Sequence, residues 1–456
     1  MKIQTINPAN GNVLHHYPLL NQKQVDHHIN NAYERFLSWR KTEATERQTL
    51  MLNMANCLRK KQDEFATLMA MEMGKPMTAG IAEINKCAWV CEYYAEHAES
   101  YLAPQLIKTD MKKSIVCYQP LGIIFAVMPW NFPFWQVFRF AAPNIMAGNI
   151  GLLKHASISA GTGNAIMALF LEAGFPEHVF QHVVLDSEMV AYVIAHQRIA
   201  GVTLTGSERA GGIVAGHAGN HLKKSVLELG GSDPYVVLAD ADLDLAAQHI
   251  VASRLNNTGQ TCISAKRTIM VQEIAEQLTQ RIVALASQYH IGDPMDPKTQ
   301  LGPMARSDLR DSLHQQVVDS VAAGATLRMG GIIPNTPGYY YPITLLSDVQ
   351  PGMPAFDDEL FGPVFAMITA TDEADAIRLA NQTRFGLAAA VFTRDLKRGE
   401  YIATHEIAAG TCFVNSMVVS DPRLPFGGIK HSGYGRELSK DGFLEFMNIK
   451  TVGIHE

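Results

Sequence analysis

Residues 199–231 read IAGVTLTGSERAGGIVAGHAGNHLKKSVLELGG. The first eight, IAGVTLTG, form an apolar and β-branched run that stops at a glycine, the pattern of a buried strand. Ser207 then offers a capping hydroxyl, and small and apolar residues recur at helical spacing through Gly219. KKSVLELGG returns to strand character at 223–231. Strand, helix and strand within so short a stretch predict two parallel strands joined by a crossover, in a sheet covered on both faces.

The alternation extends in both directions. Upstream, GIIFAVMPW (122–130), NIGLLKH (149–155) and VFQHVVL (179–185) read as strands, with helices over 159–176 and 188–196. Downstream, 232–257 gives a strand and then a helix opened by acidic residues, and a second α/β series runs to about residue 425. Near the N-terminus one long helix is expected over 45–74, opened by a Thr45–Gln48 capping box and stopped by Gly74 and Pro76. A second helical stretch covers 79–102, and KSIVCYQP (113–120) alternates like the arm of a hairpin. The closing IKTVGIHE is a short strand in need of a partner sheet, which another subunit could supply. No repeat, low-complexity segment or linker interrupts the chain.

Composition bounds the function. The chain has 456 residues, 47% hydrophobic and 18% charged, so two or three domains with substantial cores are expected. A net charge of -6 gives no basic field for a nucleic-acid partner. No basic n-region leads into an apolar run at the start, and LGIIFAVMPW is too short to span a bilayer, so a cytoplasmic protein with no membrane partner is expected. Six cysteines in a chain this long are not a disulfide framework. Cys87 and Cys91, at i, i+4, lack partners at metal-site spacing and read as core. The doublets His15-His16 and His27-His28 read as solvated surface, and no metal is expected.

One cysteine is placed differently. Cys262 lies in NTGQTCISAKR (257–267), among small and polar residues where a ligand could reach it. Other stretches carry chemistry of their own. Gly206 and Ser207, at a strand-to-helix turn, present a helix N-terminus to an anion, or form an ordinary capped turn. Lys154 follows a buried strand, where it could meet a ribose or phosphate or simply solvent. PWNFPFWQVFRF (129–140) sets Asn131 in a rigid turn from which its amide could donate to a developing oxyanion. Glu228, between two leucines, should have a raised pKa and suit a general base, although a buried structural carboxylate looks the same in sequence. FDDELFGPVFA (356–366) places Glu359 before a Gly-Pro turn, and PFGGIKHSGYGRE (425–437) is a glycine-rich loop.

PWNFP, LELGG, NTGQTC, DELFGPV and PFGGIKHSGYGRE, in this order and spacing, resemble the NAD(P)-dependent aldehyde dehydrogenases over essentially the whole chain. The resemblance implies a Rossmann-like cofactor domain (1–100 and 119–229), an α/β catalytic domain (230–436) and a small β oligomerisation arm (101–118 and 437–456), assembled as a homodimer or homotetramer. It implies that Cys262 attacks the aldehyde, that Glu228 activates the thiol or the hydrolytic water, and that Asn131 and the Cys262 backbone N–H hold the oxyanion. Trp130, Lys154, Ser157, Gly206, Ser207, Leu229, Glu359 and Phe361 would contact the cofactor. Ser157 stands where many NAD-preferring members have glutamate, so NADP is expected to be accepted as well as NAD. His155 replaces the usual proline.

For substrate, Arg139 lies eight residues after Asn131, where succinate semialdehyde dehydrogenases hold the far carboxylate with an arginine. Asn256 replaces a second arginine, and Ser420 could add a hydrogen bond. Succinate semialdehyde is therefore the expected substrate, against a broader range of aliphatic or carboxylated aldehydes. A CoA-acylating enzyme typically lacks the glutamate found here as Glu228, and a non-catalytic relative would not need Cys262, Glu228 and Asn131 together. Ser264 occupies the place of a second cysteine in some relatives, so no local disulfide switch is expected at Cys262.

Overall fold

The computed structural model describes residues 2–456. Two sheets, each with its own apolar core, organise the chain. In the first, the strands Lys224–Glu228, Ile199–Thr205, Ile123–Met128, Ile150–His155 and Phe180–His182 lie side by side and parallel. Ile199–Thr205 and Lys224–Glu228 pair with Thr205 opposite Glu228, joined by the helix Glu208–Asn220. That is the crossover read from 199–231. Ser207 caps the helix, its hydroxyl accepting from the Ala210 N–H at 3.3 Å. The carboxyl ends of four strands lead directly to Trp130–Asn131, Ser157, Gly206–Ser207 and Leu229. A parallel sheet binds ligands at this edge.

The second sheet runs, in spatial order, Thr326–Met329, Thr344–Ser347, Val364–Ala370, Arg267–Val271, Pro234–Val237, Ala388–Phe392 and Thr411–Val414. All its pairings are parallel except the first. Cys262 sits on the connection from the helix Leu243–Leu255 to the strand Arg267–Val271. Late in the chain, Gly433–Tyr434 returns to the first sheet and pairs antiparallel with Leu227 and Glu228. The glycine-rich loop is thereby brought against the base of the LELGG stretch.

Two expectations are corrected. The closing strand, Met447–Ile454, finds its partner in the same chain: it pairs with Lys113–Pro120 along its full length, in a three-stranded sheet completed by Gln105–Ile107. The expected long helix is two helices, Ala44–Lys60 and Gln62–Met73, broken at Lys61 (φ -106°, ψ 16°). Glu43 precedes the first, and no side chain caps it, because Thr45 lies within the first turn rather than before it. Gly74 does stop the second, at φ 78° with its N–H on the Ala70 carbonyl. Among the described residues no helix is long and apolar enough to cross a membrane.

Candidate active site

The loop before Cys262 is bent by three successive residues in the left-handed region: Asn257 (φ 54°), Thr258 (φ 56°) and Gly259 (φ 73°). Such a run is costly for L-residues and persists only when its surroundings over-determine it. They do so here. A Cβ on Gly259 would collide with the Gly362 carbonyl. The Asn257 amide donates to the carbonyls of Asn131 (2.7 Å) and Gln260 (3.2 Å). Fully buried Arg254 donates to the carbonyls of Val364 (2.6 Å), Leu360 (2.5 Å) and Gly362 and to the Ser264 hydroxyl, clamping this loop to the Leu360–Val364 turn. Lys266 bridges the Cys262 carbonyl and the Glu359 carboxylate, each at 2.6 Å. Sequence reasoning missed Arg254 and Lys266. The available signal was a cation on either side of Cys262, eight residues before it and four after it, in a stretch of small and polar residues.

Cys262 opens onto a cavity of about 220 Å³. Arg139, Asn256 and Ser420 also line it, so all three residues expected to meet substrate share a wall with the thiol. Lys75 and Lys86, not foreseen, line it too. The Cys262 residue is partly exposed, yet protein crowds the rest of it, and burial pushes the thiol up to about 11 against the opposing charges of Lys266 and Arg139. Such a thiol is ionised to roughly one part in ten thousand at pH 7. It needs a proton acceptor before it can attack.

Glu228 has the burial and the free lone pairs that such an acceptor requires. It ends a strand of the first sheet, is 2% exposed, and has both carboxylate oxygens buried without a hydrogen-bond partner among the described residues. Burial holds it well above the ordinary carboxylate range, with Glu437 adding to the effect and Arg139 opposing it. An unsatisfied buried carboxylate is expensive as a structural element. Asn131 is buried, with its amide donating to the Gln260 carbonyl at 3.1 Å and its Oδ1 unpartnered. Neither Asn131 nor Glu228 lines the cavity itself.

Arg139 departs from expectation. It is 2% exposed, and its guanidinium is ion-paired with Glu437, 6% exposed, while stacking over the Phe426 ring at 4.7 Å. The carboxylate it was expected to receive from a substrate is already supplied by the protein. The turn bearing Asn131 is fixed independently. Glu83 accepts from the N–H groups of Phe134 and Trp135, each at 2.9 Å, and pairs with buried Lys75, whose ammonium lies 3.9 Å from the Phe132 ring centroid.

The residues expected at the cofactor sit around the carboxyl edge of the first sheet. Ser157 is exposed just past the strand that ends at His155, and Lys154 is partly exposed with its ammonium lowered by burial. His155 is held at both ring nitrogens. Its Nδ1 accepts from the Ala156 N–H at 2.8 Å and its Nε2 donates to the Pro133 carbonyl at 2.9 Å, tying the Ser157 segment to the Asn131 turn. Burial keeps this imidazole neutral, at about 4. Gly206 donates to the Glu228 carbonyl (2.9 Å) and Leu229 to the Ser432 carbonyl (3.0 Å). Glu359 accepts from the Gly231 N–H at 3.2 Å, and a Cβ on Gly230 would meet its carboxylate. Trp130 and Phe361 meet edge to face at 5.8 Å. A helix N-terminus, an exposed hydroxyl and a lysine on one sheet edge are a donor set that fits a phosphate-bearing dinucleotide.

The aldehyde dehydrogenase family model matches residues 1–452. The chain is 47% identical over 454 residues to a probable succinate-semialdehyde dehydrogenase (NADP(+)) of Synechocystis sp., covering all of both chains. It is 45% identical over 448 residues to the succinate semialdehyde dehydrogenase (NAD(P)+) Sad of Escherichia coli, covering 98% of this chain and 97% of that one. Its structure superposes on the succinic semialdehyde dehydrogenase of Streptococcus pyogenes, solved with NADP+, with a TM-score of 0.97 at 36% identity and full coverage of both. A thiol and an unsatisfied carboxylate at the meeting of two α/β sheets are thus matched along the whole chain, which belongs to the aldehyde dehydrogenase family.

Proposed function

We propose that this protein oxidises succinate semialdehyde to succinate with NADP or NAD. The observation that supports the chemistry is a cavity-facing Cys262 within the electrostatic reach of Glu228, whose buried carboxylate oxygens have no hydrogen-bond partner among the described residues. Glu228 takes the thiol proton. Sγ then forms a bond to the aldehyde carbon, and the carbonyl π electrons move to oxygen. The second N–H of the Asn131 amide, the one not held by Gln260, and the Cys262 backbone N–H hold the resulting oxyanion. The chemistry that bound NADP or NAD supplies is acceptance of hydride from the thiohemiacetal carbon, which leaves a thioester on Cys262. Glu228 passes the thiol proton to bulk water, and the regenerated carboxylate then draws a proton from a second water, whose oxygen attacks the thioester. The C–S bond breaks, releasing the acid and the thiolate.

Lys154, Ser157, Gly206 and Ser207 would hold the nucleotide, with Trp130, Leu229, Glu359 and Phe361 toward the nicotinamide end. Ser420 and Asn256 line the cavity beside the substrate. The substrate assignment is supported by what the Synechocystis, Escherichia coli and Streptococcus relatives are named for. The proposal includes a cytoplasmic homodimer or homotetramer. Exposed Leu106, Ile107, Ile449 and Ile454 on the outer strands of the three-stranded sheet support assembly there. The test is absorbance at 340 nm with succinate semialdehyde or butanal, NADP or NAD, with and without CoA. Preference for succinate semialdehyde and indifference to CoA are expected. A requirement for CoA, or no activity with either cofactor, would overturn the reading.

A further inference from the structure

An aldehyde that carries a carboxylate at its far end needs a cation in the cavity that is not already neutralised. Among the described residues, three cations line it: Lys75, Lys86 and Arg139. Lys75 is paired with Glu83, and Arg139 with Glu437, all four side chains being 6% exposed or less. Drawing either cation toward a substrate would strand a buried carboxylate, the costly half of a broken pair.

Lys86 stands apart. No carboxylate of the described residues lies within ion-pair distance of it. Its ammonium donates to the Ser420 hydroxyl at 2.8 Å and lies 4.3 Å from the centroid of the Trp135 ring. Asp421, the nearby acid that could have neutralised it, is held by Arg423, which binds one oxygen at 2.8 Å and the other at 2.6 Å. A hydroxyl and an aromatic face stabilise a cation without cancelling its charge. Burial accordingly pulls Lys86 down to about 8, with the Arg139 charge adding to the effect and Glu83 and Asp421 opposing it. The helix Met77–Leu102 turns Ala79, Ala82 and Glu83 to the same cavity as Lys86, so small side chains leave room one and two turns before the ammonium.

We propose that Lys86, together with Ser420, is the seat of the substrate's far carboxylate and the residue that sets selectivity for it, in place of Arg139. An ammonium has three N–H donors, and one is engaged by Ser420. Because the Ser420 oxygen accepts from Lys86, its own hydrogen is free to donate. The pair thus presents two kinds of donor to the two carboxylate oxygens, as charge-assisted recognition requires. This inference rests on the succinate semialdehyde reading.

The test compares kcat and KM for succinate semialdehyde and butanal in the wild type, Lys86→Met, Lys86→Arg and Ser420→Ala, at saturating NADP. Lys86→Met keeps the length of the side chain and removes its charge. It is expected to lower kcat/KM for succinate semialdehyde by about 10- to 100-fold, mainly through KM, while butanal changes by less than about threefold. Lys86→Arg should recover much of the loss, and Ser420→Ala should show a smaller loss of the same selective kind. A Lys86→Met enzyme that keeps the wild-type preference, or that loses both substrates equally, overturns the assignment. If Lys86→Met does not fold, Ser420→Ala decides in the same way. A wild type without preference for succinate semialdehyde overturns the substrate reading and this inference with it, which separates that failure from failure of Lys86 alone.

Discussion

Arg139 and Glu437, almost three hundred positions apart, form a buried ion pair beside Glu228. The pair is electrical as well as structural. The Arg139 charge lowers both the Glu228 carboxyl and the Cys262 thiol, while Glu437 raises Glu228. Two substitutions should therefore move the pH–rate profile in opposite directions. Arg139→Met raises the pKa of the base and shifts the acid limb of kcat to higher pH. Glu437→Gln removes a raising charge and shifts it to lower pH. Arg139→Met also strands Glu437 and should lower stability by about 3–5 kcal/mol in urea unfolding. Shifts of the same sign in both variants would show that the pair does not act on Glu228.

The base itself should weaken the fold at neutral pH. Burial holds the pKa of folded Glu228 well above the ordinary carboxylate value near 4.5. Below that value the carboxyl is neutral whether the chain is folded or not, and the burial of Glu228 carries no ionic penalty. As pH rises the unfolded chain ionises first, and stability is lost until the folded pKa is reached. Glu228→Gln removes this titration while keeping the shape. Its melting temperature should exceed that of the wild type at pH 8, and the gap should close toward pH 4, while turnover is abolished. A pH-independent gap would mean that the carboxyl is not the cause.

The parts of the molecule that were readable before its structure are those encoded locally. The strand–helix–strand at 199–231 was readable because burial of both strands and the Ser207 cap are written in adjacent residues. Periodicity could not name the partner of the last strand, because Lys113–Pro120 lies more than three hundred residues earlier; only the family resemblance set 101–118 and 437–456 in one β arm. The same distinction separates Glu228 from Arg139. A carboxylate between leucines announces burial. An arginine in an aromatic helix does not announce that Glu437 will fold back onto it. Lys86 is not legible as a cavity residue, because a lysine on a long helix ordinarily faces solvent, and only the approach of Ser420 and Trp135 reveals the cavity.

Cofactor choice should be tunable at one residue. Ser157 is exposed beyond the strand end, beside Lys154, and carries no charge to repel a 2′-phosphate. Ser157→Glu places a carboxylate there. It should reduce kcat/KM for NADP by roughly 100-fold through like-charge repulsion and leave that for NAD within a few-fold. Measuring both cofactors on the same preparation checks this. An equal loss on both would place the 2′-phosphate elsewhere.

Oxidation of the nucleophile should leave a different trace from that of a cysteine pair. Ser264, two residues after Cys262, accepts from Arg254 and donates to the Thr261 carbonyl at 3.1 Å, so it serves the clamp that holds the strained loop. It offers no sulfur to resolve a sulfenic acid. Peroxide should therefore inactivate the enzyme by oxygen addition at Cys262, and mass spectrometry of unreduced peptides should show added oxygen there. An intramolecular disulfide joining Cys262 to another cysteine, with activity restored by a thiol, would overturn this. Because the clamp runs through the Ser264 oxygen, Ser264→Ala should slow turnover without changing the peroxide product, separating the structural duty of this position from any redox role.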